Sequence, residues 1–117
     1  MTEFATILGE AFDRIAGENG FSYIRGGAYA WGIAGAAYLS FASSGLTPEQ
    51  LRAAQYKARD EYGPVILECK WYDRLKDELF KGKDSVDALL PDKDGLMRLC
   101  PVTAELFLEM LDFCREG

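Results

Sequence analysis

The residues that could do chemistry in this sequence are carboxylates, three cysteines and one isolated arginine, because histidine is absent. Without histidine the chain lacks the usual general base, the usual partner of a Cys or Ser nucleophile and the commonest transition-metal ligand. The cysteines are Cys69, Cys100 and Cys114, and their wide spacing contains no C-x-x-C pair. We therefore expect three reduced, small core residues in a cytoplasmic protein with no metal and no cofactor. An enzyme would have to depend on carboxylates, tyrosines or a cysteine, and we rank this function class third.

The strongest charge pattern is a row of acids near the C-terminus, Glu105, Glu109, Asp112 and Glu116. Their spacings of four, three and four place them on one face of a helix, and no lysine interrupts the row. Such a stripe is usually a solvated helix face, but it can also dock on another protein of complementary charge. We predict a partner-binding surface at these four residues.

A second candidate site surrounds Arg25, the one charged residue between Glu18 and Glu49. Gly26 and Gly27 directly precede a predicted helix, where free backbone N–H groups and the positive helix end favour a carboxylate or phosphate. Aromatic residues close by in the sequence could complete a pocket for a small ligand, and they are Tyr23, Tyr29 and Trp31. The alternative for this stretch is a flexible connector with a solvated arginine.

Two other acidic patterns do not indicate a site. Asp73 and Asp77 share one side of a predicted helix, but neighbouring lysines and arginines indicate a solvated face rather than a catalytic pair. The turn at 92–95 is similar to part of a calcium loop, but the first and closing ligand positions of such a loop would fall on Leu90 and Pro101.

The composition bounds the size of the fold and the kind of partner. The 117 residues, of which 49% are hydrophobic and 27% charged, are typical of one globular domain spanning residues 1–117. The net charge of −6 disfavours a nucleic-acid partner, which would require a basic face to neutralise phosphates. Acids and bases are interleaved in the C-terminal half, so the sequence does not resemble a dense DNA-like acidic array.

The fold must be arranged around the uncharged stretch 26–44, which we predict as a buried central helix at about 28–43. Six alanines between Ala28 and Ala42 favour a helix over a strand. The large residues of this stretch also alternate, however, so an antiparallel sheet from 21 to 41 is the competing interpretation.

A stripe of small residues runs along one side of this predicted helix and would let another backbone approach closely. That backbone could belong to the same chain, or to a second copy in a homodimer through Ala28, Gly32 and Ala36. A membrane span is disfavoured, because serines, tyrosines and glycines dilute the stretch and no cluster of cations flanks it.

Two further helices have clear sequence signals. Apolar residues at spacings of three and four predict an amphipathic helix at about 3–18. Thr47 and Gln50 form a capping-box pattern around a proline, which predicts a helix that starts there and ends at Gly63.

The C-terminal half is harder to assign. We predict one long helix at about 64–81, and the alternative is a strand at 65–71 that leads into a helix from Asp73. The stretch 84–90 is predicted to form one or two helical turns, and Pro101 fits the first turn of a last helix.

Together these elements predict a compact all-α bundle of five or six helices around the central helix, with an α+β fold as the alternative. In that alternative a small antiparallel sheet occupies residues 21–41.

The predicted function is a non-catalytic cytoplasmic module for protein–protein interaction, such as a small acidic adaptor, immunity-type or inhibitor protein. The alternative function is a small-ligand or anion-binding domain that uses Arg25 and the backbone of Gly26 and Gly27. We expect neither nucleic acid nor a membrane among its partners, and the identity of the partner protein stays open.

Overall fold

The computed structural model describes all residues from 1 to 117 and contains five α-helices and one two-stranded antiparallel sheet. The elements in chain order are α1 (Phe4–Glu18), α2 (Gly27–Ser43), α3 (Pro48–Tyr62), a 3₁₀ turn (Cys69–Trp71), α4 (Tyr72–Phe80), β1 (Ser85–Pro91), β2 (Met97–Thr103) and α5 (Ala104–Glu116). The all-α prediction is therefore only partly right, and the fold class is that of the α+β alternative. The sheet lies at 85–103, however, and not at 21–41 as that alternative placed it.

Helix α2 is the centre of the fold, as the uncharged stretch predicted. Its middle is buried almost all the way round, and α1, α3, α5 and the sheet pack against it. The small stripe is used within the chain, because Gly32 and Ala36 are buried and α1 crosses α2 at Gly32. A Cβ added to Gly32 would lie 2.7 Å from the backbone nitrogen of Gly9. This close crossing of two backbones requires glycine at position 32.

The predicted ends of α1 and α3 are confirmed. The side chain of Thr47 accepts a hydrogen bond from the backbone N–H of Gln50 at 3.2 Å, and the Gln50 side chain accepts one from the backbone N–H of Thr47 at 3.0 Å. These two bonds are the reciprocal pattern of a capping box. Gly63 ends α3 with a φ of 86°, a value that glycine adopts without strain.

The long helix predicted at 64–81 is wrong in its first part, and the strand at 65–71 is also absent. Residues 64–68 form an irregular connection, and regular helix begins only at Tyr72, one residue before the start at Asp73 that the alternative predicted. The Tyr23 hydroxyl donates to the Ile66 carbonyl at 3.0 Å and accepts from the Ile66 N–H at 2.9 Å. Because a side chain from another part of the molecule uses both backbone groups of Ile66, they cannot enter a helical or strand ladder.

The hairpin β1–β2 replaces the helical turns predicted at 84–90 and the helix start predicted at Pro101. Its register pairs Leu89 with Leu99 and Asp87 with Pro101. Backbone bonds from Asp92 to Leu96 and from Ala104 to Asp84 show that the even-numbered residues form the hydrogen-bonded pairs. Pro101 therefore has its nitrogen on the open edge of the ribbon, where its missing N–H removes no ladder bond. One face of the hairpin enters the core through Ala88, Leu90, Cys100 and Val102.

Candidate functional site

Helix α5 carries the predicted partner-binding acids. A capping residue holds its start, and its inner face packs in the core. Thr103 caps the helix, because its side chain accepts a hydrogen bond from the backbone N–H of Leu106 at 3.1 Å. The inner face is buried, and it consists of Phe107, Met110, Leu111 and Cys114. The outer face therefore presents its carboxylates from a rigid element.

The structure brings together three of the four predicted acids. Glu109, Asp112 and Glu116 line a shallow groove of about 370 Å³ with the rings of Tyr38 and Phe113. The two rings lie 4.9 Å apart between centroids, at an angle of 32°. All three acids are exposed. We call these five residues the α5 groove.

The fourth predicted acid lies outside this groove. Glu105 borders a different depression, at the start of α5, together with Asp84, Thr103 and Ala104. It shares the helix face with the other three acids but no cavity with them. The acidic stripe thus borders two separate depressions.

The carboxylates of the α5 groove are not neutralised by the protein. Neither they nor Glu105 take part in an ion pair within 4.0 Å. Asp112 accepts one hydrogen bond, from the Tyr72 hydroxyl at 2.8 Å. Burial, together with this bond to a carboxylate, raises the pKa of Tyr72 well above its usual range. Burial and the nearby charge of Glu109 raise the pKa of Tyr38 as well, so both tyrosines stay neutral at ordinary pH.

The combination of free carboxylates and aromatic faces determines what this groove can hold. A guanidinium or ammonium group is attracted both to carboxylates and to the negative face of an aromatic ring. An anion would be repelled by three unpaired negative charges. The groove is therefore suited to a cationic side chain.

The structure separates the residues of the second predicted site. A cleft of about 370 Å³ between α1 and the start of α2 includes Arg25 and Gly26 with Tyr23 and Tyr29. Trp31 is elsewhere: it is fully buried, and its indole N–H donates to the Gly63 carbonyl at 2.9 Å.

Two groups expected to bind a ligand in that cleft already have partners. The backbone N–H of Gly27 donates to the Ile24 carbonyl at 2.8 Å, which closes the turn before α2. The Tyr23 hydroxyl is occupied by Ile66, and burial raises the pKa of Tyr23 well above its usual range. Tyr23 therefore holds the connection after α3 in place instead of presenting a free donor to the cleft.

The charge around Arg25 is mixed. Glu10 and Asp13 of α1 border the same cleft, and Arg25 forms no ion pair within 4.0 Å. A simple anion would face both carboxylates there, and this opposes the attraction of Arg25. The geometry supports an anion site at Arg25 less well than it supports a cation-binding groove on α5.

Sequence reasoning missed the aromatic half of the α5 groove. Tyr38 lies within the stretch predicted as the central helix, and neither Tyr38 nor Phe113 was among the residues predicted to form a site. The spacing of Phe113 from Asp112 and Glu116 allowed a position at the edge of the acidic stripe. No sequence signal indicated that Tyr38, 75 positions before Phe113 in the chain, would stack beside it.

Two further features of the structure concern metals and membranes. No group of three or more Cys, Asp or Glu side chains is arranged to hold a metal ion. None of the helices combines the length and the apolar character needed to cross a bilayer.

Comparisons with protein-family models, with curated proteins and with solved structures gave no match. The function must therefore be inferred from the geometry.

Proposed function

We propose that this protein is a non-catalytic protein-binding module that docks through the α5 groove on a basic surface of its partner. A small acidic adaptor, immunity-type or inhibitor protein would work in this way. The observation that carries the proposal is that Glu109, Asp112 and Glu116 line one groove with the neighbouring rings of Tyr38 and Phe113, and that no cation of the chain lines it.

The charge of the groove supports docking because its carboxylates need not break an ion pair of the free protein before they bind a partner. Surface ion pairs contribute little on their own, but three charges that converge on one desolvated cation add both affinity and association rate. The expected occupant is an arginine or lysine side chain at the centre of a protein interface. Arginine fits better, since its planar guanidinium can stack on the rings and bind a carboxylate in a bidentate way.

The packing of the groove supports docking because its parts lie on fixed elements. The inner face of α5 is buried, and Tyr38 lies on the central helix. Asp112 is held by Tyr72 of α4. The helices, the two rings and Asp112 are therefore already ordered before a partner binds, which lowers the entropy cost of docking.

Pull-down from native lysate at low and high salt tests this proposal with three baits: wild type, Glu109→Lys and Glu105→Lys. Both variants change the charge by the same amount on the same helix, but only Glu109 lines the groove. We expect a protein partner that is retained at low salt by the wild type and by Glu105→Lys, and that is lost with Glu109→Lys.

The affinity of a partner identified in this way can then be measured by titration calorimetry. Loss of one charged contact at the centre of an interface should weaken binding by about 2–5 kcal/mol. Equal binding by wild type and Glu109→Lys would show that the interface lies elsewhere.

A further inference from the structure

A second cleft, between α2 and α3, is independent of the α5 groove. It has a volume of about 300 Å³ and is lined by Gly26, Tyr29, Ala30, Ile33, Ala54, Lys57, Ala58 and Tyr62. We propose that this cleft binds a small amphipathic anion, with an apolar aromatic or aliphatic body and a single negatively charged head. Its volume is at the lower end of the range of about 300–1,000 Å³ that is usual for small-molecule sites.

The space for the apolar body exists because α3 meets α2 through small side chains. Leu51 and Ala58 are the only buried residues of α3, and the lining residues Ala54 and Ala58 fill little of the gap. Ile33 of α2 remains 40% exposed on the cleft wall. Burial of this apolar surface by a ligand would be favourable.

The preference for a negative head comes from the polar groups of the lining. Lys57 is the only charged residue of the cleft, and it forms no ion pair within 4.0 Å. The hydroxyls of Tyr29 and Tyr62 form no hydrogen bond within the protein. An unpaired ammonium and two hydroxyl donors beside an apolar wall are complementary to a carboxylate, sulfonate or phosphate.

Gly26 shapes one end of the cleft. Its φ is 86°, and a Cβ at this position would lie 3.1 Å from Cε1 of Tyr62. The ring of Tyr62 therefore lies directly against the backbone at the start of α2. This contact places the Tyr62 ring at the end of the apolar wall.

The test uses two fluorescent probes with the same body, 8-anilinonaphthalene-1-sulfonate and the uncharged N-phenyl-1-naphthylamine. Fluorescence titration of the full chain should show saturable binding of the sulfonate and weaker binding of the uncharged probe. Lys57→Met removes the charge and keeps the length of the side chain. It should weaken binding of the sulfonate about tenfold, which corresponds to about 1.4 kcal/mol, and leave the uncharged probe unchanged.

Two further variants control this experiment. Arg52→Met removes a cation of the same helix that does not line the cleft, and it should bind both probes as the wild type does. Ala54→Phe fills the cleft and should abolish binding of both probes. Thermal unfolding checks that each variant is folded.

Five outcomes would overturn the proposal, and the first four concern the probes and variants named above. These four are the absence of saturable binding to the wild type, unchanged affinity of Lys57→Met for the sulfonate, an equal loss in Arg52→Met, and binding that persists in a folded Ala54→Phe variant. A loss that occurs in Arg25→Met but not in Lys57→Met would also overturn it, because it would place the probe in the cleft between α1 and α2. None of these variants alters the α5 groove, so failure here and failure of partner docking are distinguishable.

Discussion

At the scale of single residues, several aromatic side chains hold backbone segments that have no regular structure. Tyr23 uses one hydroxyl to bind both the N–H and the carbonyl of Ile66, and Trp31 binds the carbonyl of Gly63. These bonds fix the first part of the connection between α3 and α4. The two residues were predicted to bind a ligand because aromatic residues near a glycine pair are also typical of pockets.

Removal of the Tyr23 hydroxyl should destabilise the fold. Tyr23→Phe leaves two partly buried backbone groups without a partner, and we expect a loss of about 1–3 kcal/mol in the free energy of unfolding. Urea denaturation measures this loss. Tyr29→Phe is the matched control, because the exposed Tyr29 hydroxyl has no partner, and its stability should change little. Equal stability of the two variants would contradict a structural role for Tyr23.

The three cysteines should differ in reactivity. Cys100 and Cys114 are buried as predicted, whereas Cys69 is exposed and does not fit the prediction of a core residue. Burial raises the pKa of Cys114 well above its usual range, and this suppresses its thiolate. In a titration of the native protein with a disulfide reagent, we expect one thiol to react in a fast phase. This fast phase should be absent in Cys69→Ser. A fast phase that remains in this variant would show that one of the other two thiols is accessible.

At the scale of elements, the crossing of α1 and α2 depends on glycine. A Cβ on Gly32 would overlap the α1 backbone, and backbone atoms cannot move aside as a flexible side chain can. Gly32→Ala should therefore destabilise the protein by about 1–3 kcal/mol or more in thermal or urea unfolding.

Gly17→Ala is the control for this crossing. Gly17 lies in the last turn of α1, and no atom lies within 4 Å of an added Cβ. Alanine there should increase stability by about 0.4–1 kcal/mol, because it restricts the unfolded chain. Stabilisation of both alanine variants would contradict the close contact between the backbones of α1 and α2 at Gly32.

The turn of the hairpin depends on Asp92. One of its carboxylate oxygens accepts from the backbone N–H groups of Asp94 and Leu96, and the other accepts from Arg98 at 2.7 Å. Asp92→Asn should lower the melting temperature and speed hydrogen exchange of the Asp94 and Leu96 amides. Asp94→Asn, at an exposed position of the same turn, should change neither. Unchanged exchange in Asp92→Asn would show that the turn forms without the carboxylate.

At the scale of the whole molecule, ion pairs connect elements that are distant in sequence. Arg14 of α1 binds Glu78 of α4 at 2.7 Å, and Arg74 of α4 binds Glu18 of α1 at 2.9 Å. The hydrogen bond and charge of Arg14 lower the pKa of Glu78 below its ordinary value. The pair therefore stabilises the fold when Glu78 is ionised.

The lowered pKa of Glu78 determines how the stabilisation by this ion pair depends on pH. A lowered carboxyl pKa means that the unfolded chain binds more protons near the ordinary value of 4.5. The stabilisation is therefore complete above that pH and is lost as the pH falls through the folded-state pKa. Urea unfolding between pH 7 and pH 3 should show a smaller loss for Glu78→Gln than for the wild type. Identical pH profiles would mean that the pair contributes nothing in solution.

The proposed docking surface also belongs to the whole molecule. Its acids could be predicted, because the helical period places Glu109, Asp112 and Glu116 on one face of a single helix. Its rings could not, since Tyr38 comes from α2 and reaches α5 only because the two helices pack together. The division of Glu105 from the other acids depends on Asp84 and Thr103, which the hairpin brings to the start of α5.

The sequence by itself determined the parts of this protein that depend on neighbours along the chain. The period of α1, the capping box of α3 and the uncharged length of α2 are local signals, and each element begins and ends within a residue or two of its predicted position. Tertiary contacts decided the rest. Residues 85–103 form a hairpin because β1 can bury Ala88 and Leu90 only beside Cys100 and Val102, and residues 64–68 stay irregular because Tyr23 and Trp31 hold that connection. Such pairings join residues of different elements, and local propensity carries no information about which partner will be met.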